Sequence, residues 1–207
     1  MHTTVVDHPL AAEQLTLLRD AQTDRATFRR AVDALAGMLV YEATRALPVE
    51  PVEVRTPLTT TTGSRLVRPP LLVPVLRAGL GMAEAAIRLL PDAEMSFIGL
   101  TRDEATFQPH PYMAKLPEQL HGRPALLLDP MLATGGSLAF ACRMVAERGA
   151  GELRVVCVLA APEGLALLEA TGLVHEVVCA AVDDHLDDRA FIVPGLGDAG
   201  DRLFGPA

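Results

Sequence analysis

The chain has 207 residues, 50% of them hydrophobic and 21% charged, which is enough for one domain, residues 1–207, with a real apolar core. Tryptophan is absent and aromatics make up only 4%, so packing must rest on Leu, Val and Ala. A formal net charge of −8 argues against non-specific nucleic-acid binding, which needs a basic face to release counterions, so any anion site has to be built locally.

Cys142, Cys157 and Cys179 stand in apolar stretches without C-x-x-C spacing and read as small buried hydrophobes, not as a disulfide framework or a zinc site. The histidines show no metal-ligand spacing, so no protein-held metal is expected. Met1 to His8 lacks a basic segment followed by an apolar one, and no apolar run approaches membrane-spanning length. The expectation is a soluble cytoplasmic protein with neither nucleic acid nor membrane as a partner.

In chain order, Asp7-His8-Pro9 followed by Leu10, Leu15, Leu17 and Leu18 predicts a short helix with proline in its first turn. A second helix starts after Thr23-Asp24 and runs to about Thr44, with Phe28, Val32, Leu35 and Leu39 as its apolar stripe. Val49 to Leu58, interrupted by Pro51 and Pro57, reads as an edge strand leading into a turn over Thr59 to Gly63, an edge hairpin in outline.

From Pro70 strands and helices alternate. Strands are predicted at Leu71 to Leu76, Met95 to Thr101, Ala125 to Leu128, Arg154 to Ala160 and Glu176 to Val182. Helices are predicted at Met82 to Leu90, Leu138 to Arg148 and Pro162 to Thr171. This pattern predicts an α/β fold, a mostly parallel twisted sheet with helices on both faces, whose ligands bind at the carboxyl ends of the strands. That rule gathers Arg77-Ala78-Gly79-Leu80-Gly81, Arg102, Asp129 and Ala161 to Gly164. Arg102 to Pro117, with three prolines, reads as a long irregular excursion of the kind that forms lids and binding loops.

The densest signal is Asp129-Pro130-Met131-Leu132-Ala133-Thr134-Gly135-Gly136-Ser137, which sits between the apolar strand and a helix N-terminus. Unpaired first-turn N–H groups and the positive end of the helix dipole suit a phosphate, and the acid at the strand end stands about one ribose away. A Walker A loop is excluded, because no lysine precedes the final hydroxyl residue. A dinucleotide fingerprint is excluded for want of a third glycine. Gly195-Leu196-Gly197-Asp198-Ala199-Gly200 also fits the dinucleotide pattern by spacing. It is rejected on the expectation that no helix can follow before the chain ends.

The nine residues from Asp129 to Ser137 resemble the phosphoribosyl-pyrophosphate (PRPP) signature of the type I phosphoribosyltransferases, with Pro130 replacing a second acid as in the uracil phosphoribosyltransferases. Val73 to Gly81 is similar to that family's pyrophosphate loop, Arg102 to Pro117 to its flexible flap, and Phe191 to Gly205 to its C-terminal uracil-binding segment. Phe191 stands where many members have tyrosine.

The resemblance implies conversion of uracil and PRPP to UMP and pyrophosphate in pyrimidine salvage, with Mg2+ carried by PRPP. It implies PRPP binding by Arg77, Arg102, Asp129, Pro130, Met131, Leu132, Ala133, Thr134, Gly135, Gly136, Ser137 and Asp198, and uracil binding by Ile192, Gly197, Asp198 and Ala199. Arg102, Asp129 and Asp198 are the implied catalytic residues. It also implies a homo-oligomer, dimer or tetramer, and brings in GTP as an allosteric activator. A phosphoribosyltransferase for another base, or a pyrimidine-sensing RNA-binding regulator on the same fold, are the alternatives.

Overall fold

The computed structural model describes residues 1–102 and 109–206, apart from the side chains of Arg102 and Pro109. The elements in order are β1 (His2–Val5), α1 (Pro9–Arg19), α2 (Arg25–Ala43), β2 (Val49–Arg55), β3 (Thr60–Leu66), β4 (Leu71–Leu76), α3 (Leu80–Leu89), β5 (Phe97–Arg102) and β6 (Pro109–Lys115). They continue with β7 (Ala125–Leu128), β8 (Met131–Leu132), α4 (Gly136–Ala146), β9 (Leu153–Ala160), α5 (Pro162–Thr171), β10 (Val174–Val182), β11 (His185–Leu186), β12 (Ile192–Val193) and α6 (Ala199–Phe204).

The central sheet has the order β1-β10-β9-β7-β4-β5-β6, with β8 added to β9. Every pair is parallel except β5 with the edge strand β6. All residues of β7 and β9 are buried, as expected for inner parallel strands covered on both faces. Their side chains alternate between two cores. Leu126, Leu128, Val156 and Val158 join the core under α1, α2, α3 and α6, whereas Ala125, Leu127, Val155 and Cys157 join the one under α4 and α5. The α/β expectation holds.

Capping explains the first two helices. The His8 imidazole accepts from the Leu10 N–H ahead of Pro9, and the Asp24 carboxylate accepts from Thr27 N–H at 2.9 Å. The hairpin of β2 and β3 is a separate two-stranded sheet whose turn lies at residues 56–59, where Thr56 N–H donates to Thr59 carbonyl oxygen at 2.8 Å. The sequence placed the turn later, over Thr59 to Gly63, but this threonine-rich run is β-branched and continues the ladder.

Three further differences have local causes. β1 was not anticipated; four residues are too few to show a period, and they acquire a conformation only by pairing with β10. The irregular excursion expected from Arg102 to Pro117 is corrected over Pro109–Lys115, which pair with β5 as an antiparallel edge, the one place in a sheet that tolerates proline. There the Tyr112 ring lies on bare Gly99, where an added Cβ would stand 2.4 Å from it. Residues 103–108 of the expected flap lie outside the described residues. Finally, a helix does follow the C-terminal glycines: α6 is short, but Asp198 caps it by accepting from Asp201 N–H at 2.8 Å.

The sheet order sets the location of the site. From β4 the chain moves through α3 to β5 on one side, and from β7 it moves through α4 to β9 on the other. β4 and β7 are therefore the neighbours at which the winding reverses, and such sheets open a crevice there, beyond the strand carboxyl ends.

Candidate active site

β4 delivers Arg77 to this crevice, and β7 delivers Asp129. After β4 the Leu76–Arg77 peptide bond is cis, and the chain turns so tightly that Gly79 N–H donates to Val75 carbonyl oxygen at 2.9 Å. Gly79 is required here because a Cβ would stand 2.2 Å from the Leu128 carbonyl oxygen. The turn thus lies directly against the end of β7. The Arg77 guanidinium faces Asp201 on α6 at 3.2 Å, in a half-exposed pair.

Asp129 closes its own turn, its Oδ1 accepting from Met131 N–H at 3.3 Å. The segment after it is less of a free loop than expected, because Met131–Leu132 add to β9 as β8. The chain then reaches Gly135, the cap of α4, at φ 81°, where a Cβ would stand 2.9 Å from Gly164 carbonyl oxygen. Both facts demand glycine. Ser137 lies inside the first turn of α4 and is not its cap. Gly135 brings no side chain to the first turn of α4, where the Gly136 N–H donates to Thr134 Oγ1 at 3.5 Å, and the first-turn N–H groups point toward the crevice as a ligand site would need. They border a recess of about 140 Å³ whose walls include Asp129, Thr134, Gly135 and Ser137.

A second recess, of about 260 Å³, shares Asp129, Met131 and Ala133 with the first. Its opposite wall is the C-terminal segment: Ile192, Gly197, Asp198 and Ala199 all line it. The two hollows, one bordered by a helix N-terminus and the other by the C-terminal segment, therefore meet at a carboxylate. One Asp198 oxygen is already engaged in capping α6.

The site residues named from the sequence divide accordingly. Asp129, Met131, Ala133, Thr134, Gly135, Ser137, Ile192, Gly197, Asp198 and Ala199 line the two hollows, and Gly136 opens α4 beside them. Pro130 and Leu132 are buried instead, with the Pro130 carbonyl oxygen accepting from Val158 and Leu159 N–H, so they shape the site from beneath. Arg77 stands beside the hollows on the Asp201 pair, and the Arg102 side chain lies outside the described residues. The sequence missed Arg189 and Ala190 in the second hollow and gathered Ala78 there only as part of the turn after β4. Arg189 stands with its guanidinium 5.5 Å from the Phe191 ring centroid, and no motif flagged it.

Among the described residues no group of three or more His, Cys, Asp or Glu could hold a metal ion. All three cysteines are buried and free, and burial pushes the Cys142 thiol up to about 12, which leaves it inert at neutral pH. No helix among the described residues is long and apolar enough to cross a membrane.

Behind the C-terminal segment Asp183 is buried, at 6% exposure, and bonded to the Arg19 guanidinium and to Gly195 N–H. Burial alone pushes its carboxyl up, but those bonds outweigh burial and hold it below the usual 3.8. A carboxylate with a depressed native value stabilises fully above its unfolded value and loses that contribution as pH falls through the native one. Below about pH 4 the urea midpoint is therefore expected to fall more steeply in the wild type than in Asp183→Asn, whose amide does not titrate. Equal slopes in the two proteins would remove Asp183 from the acid response.

A family model for uracil phosphoribosyltransferase matches residues 5–206. Proteins described as uracil phosphoribosyltransferase from Corynebacterium efficiens and Corynebacterium diphtheriae are each 52% identical over 206 residues, covering 100% of this chain and 98% of theirs. A solved structure of a protein from Aquifex aeolicus superposes with a TM-score of 0.92 at 38% identity, covering 99% of both chains. The adenine phosphoribosyltransferase of Thermoanaerobacter pseudethanolicus shares the fold at a TM-score of 0.51 and 11% identity, over 81% of this chain and 85% of that one. The signature strand and helix, the C-terminal segment and these full-length matches agree: the chain is an enzyme of the uracil phosphoribosyltransferase family.

Proposed function

We propose that this enzyme joins uracil to PRPP at the junction of the two hollows, releasing UMP and pyrophosphate. The observation that carries the reading is the meeting of a helix N-terminus suited to a phosphate with a pocket walled by the C-terminal segment, at one strand-end carboxylate. The 5′-phosphate accepts from the first-turn N–H groups of α4 and from the hydroxyls of Thr134 and Ser137. Asp129 accepts from the ribose hydroxyls, and the base lies against Ile192, Gly197 and Ala199. Asp198 faces both substrates with the carboxylate oxygen that is not needed for its cap.

Magnesium arrives with PRPP as part of the substrate. The bond from the anomeric carbon to pyrophosphate breaks with its electron pair leaving on the pyrophosphate oxygen. The resulting cationic sugar is captured by a ring nitrogen of uracil, which gives up its proton. No covalent enzyme intermediate is needed, so catalysis consists of positioning and of charge placed around the departing pyrophosphate by Arg77 and Arg102. The direct test is to mix the purified protein with uracil, PRPP and magnesium and measure UMP; UMP is the expected product, and its absence refutes the reading.

In this mechanism Arg102 acts chiefly as charge develops on the leaving group. Arg102→Ala is expected to lower kcat and kcat/KM together, by about tenfold or more, with little change in KM for PRPP. A rise in KM alone would make Arg102 a binding residue only. Self-association and GTP activation belong to the same reading through the family resemblance. Sedimentation should give a species heavier than one chain, and adding GTP should raise the rate at low PRPP.

A further inference from the structure

In the reading proposed above, main-chain groups between Ile192 and Ala199 meet the base, so uracil is recognised only as well as that segment is held. Displacing a recognising group by about 1 Å is enough to lose an aligned hydrogen bond and a large part of the rate. Yet this segment lies outside the central sheet, between the two-residue strand β12 and the six-residue helix α6, and little local structure fixes it.

What holds it comes from both ends of the chain. Arg19, the last residue of α1, grips Asp183 through two parallel bonds, Nη2 to Oδ1 at 2.5 Å and Nη1 to Oδ2 at 2.8 Å. The same pair takes hold of both polar groups of Gly195. Asp183 Oδ2 accepts from Gly195 N–H at 2.8 Å, and Arg19 Nη1 donates to Gly195 carbonyl oxygen at 2.9 Å. Gly195 sits at φ 64°, where a Cβ would stand 2.0 Å from the Ile192 carbonyl oxygen, so its peptide groups are turned to one orientation. One residue on, Arg202 fastens the Leu196 carbonyl oxygen at 2.9 Å and reaches back to the carbonyl oxygens of Leu18 and Asp20 at the end of α1.

Resting on the uracil reading above, we propose that Arg19 and Asp183 are positioning residues for the base. They form a clasp that sets Gly195 and through it the main-chain groups of Ile192, Gly197 and Ala199. Neither residue lines the base hollow; Arg19 lines a separate cavity of about 590 Å³ on the far side, and Gly197 and Asp198 form a wall common to both. The phosphate recess is lined from Asp129 to the first turn of α4 and shares no lining residue with the clasp, so loosening the clasp should disturb uracil and spare PRPP. A buried ion pair is not needed for stability as such, since apolar packing often serves as well; what a planar fork adds is fixed geometry.

The test varies uracil and PRPP independently in Arg19→Lys and Asp183→Asn. Lysine keeps the charge but lacks the fork that holds Asp183 and Gly195 together, and the amide turns donors toward Arg19. In variants shown to be folded by circular dichroism, KM for uracil is expected to rise about tenfold, while KM for PRPP and kcat stay within about twofold. A uracil KM that stays within that smaller range, or a PRPP KM that rises in step with it, overturns the proposal.

If neither variant folds, amide exchange in the wild type decides. Gly195 N–H should exchange slowly, and fast exchange means the clasp does not hold. Failure of the underlying reading looks different: there the wild type itself makes no UMP from uracil, whereas an active wild type with unaffected variants removes the clasp alone.

Discussion

Cytosine should react at no more than about one ten-thousandth of the uracil rate, measured as kcat/KM with saturating PRPP. Around ring nitrogen N3, uracil presents acceptor, donor, acceptor; cytosine reverses the donor at N3 and one of the carbonyls. In the proposed reading the base meets main-chain groups of Ile192, Gly197 and Ala199, which line its hollow, and an N–H cannot become an acceptor or a carbonyl a donor. Cytosine would leave buried groups facing their own kind, and sites built on hydrogen bonds reject such mismatches by about 10⁴-fold or more. Adenine and hypoxanthine should give negligible product, whereas uracils with a small substituent at carbon 5, which needs no hydrogen bond, should keep their activity. Cytosine turnover within about tenfold of uracil would sink the main-chain explanation of base choice.

Asp129→Asn is the substitution expected to cost most at the sugar. The amide oxygen can still accept from Met131 N–H, so the turn and the fold should survive, with thermal unfolding close to the wild type. What changes is the other side of the group: an NH₂ would present donors where, in the proposed mechanism, a carboxylate oxygen accepts from ribose hydroxyls. Losing charge-assisted bonds of this kind costs roughly 1.5–3 kcal/mol, or about ten- to a hundredfold in kcat/KM for PRPP. A folded variant with wild-type kcat/KM for PRPP would take Asp129 out of the mechanism.

What could be read before the structure was set by how local the cause is. β4 and α5 have the residue bounds expected, because an unbroken apolar run and a proline-led helix with glycine at its cap carry their own punctuation. β6 was hidden by its prolines, which matter only once the strand is known to lie at an edge. α6 was excluded on length, although Asp198 three residues ahead of Asp201 offered a cap. In the site, the glycines and hydroxyls after β7 could be recognised as a phosphate-binding pattern. Arg189, and the grip of Arg19 and Asp183 on Gly195, depend on residues that meet only through tertiary structure. Arg19 and Asp183 are 164 positions apart, and no spacing rule reaches that far.

The division of labour along the chain bears on how such an enzyme could change its substrate. The hollow proposed for the sugar phosphate lies at the reversal point of the sheet, whereas the wall proposed to face the base comes from residues beyond β10, after the last strand of that sheet. A substitution at the half-exposed tail residue Phe191 could alter which base is accepted without breaking a bond of the central sheet, whereas changes at Ile192, Leu196 or Ala199 would also reach the core. The same arrangement sets the terms on which the tail can be exchanged in the laboratory. Grafting a different closing segment after Val182 would have to keep Asp198, the Asp201 partner of Arg77 and the core contacts of Leu196 and Leu203, and would vary the residues between them.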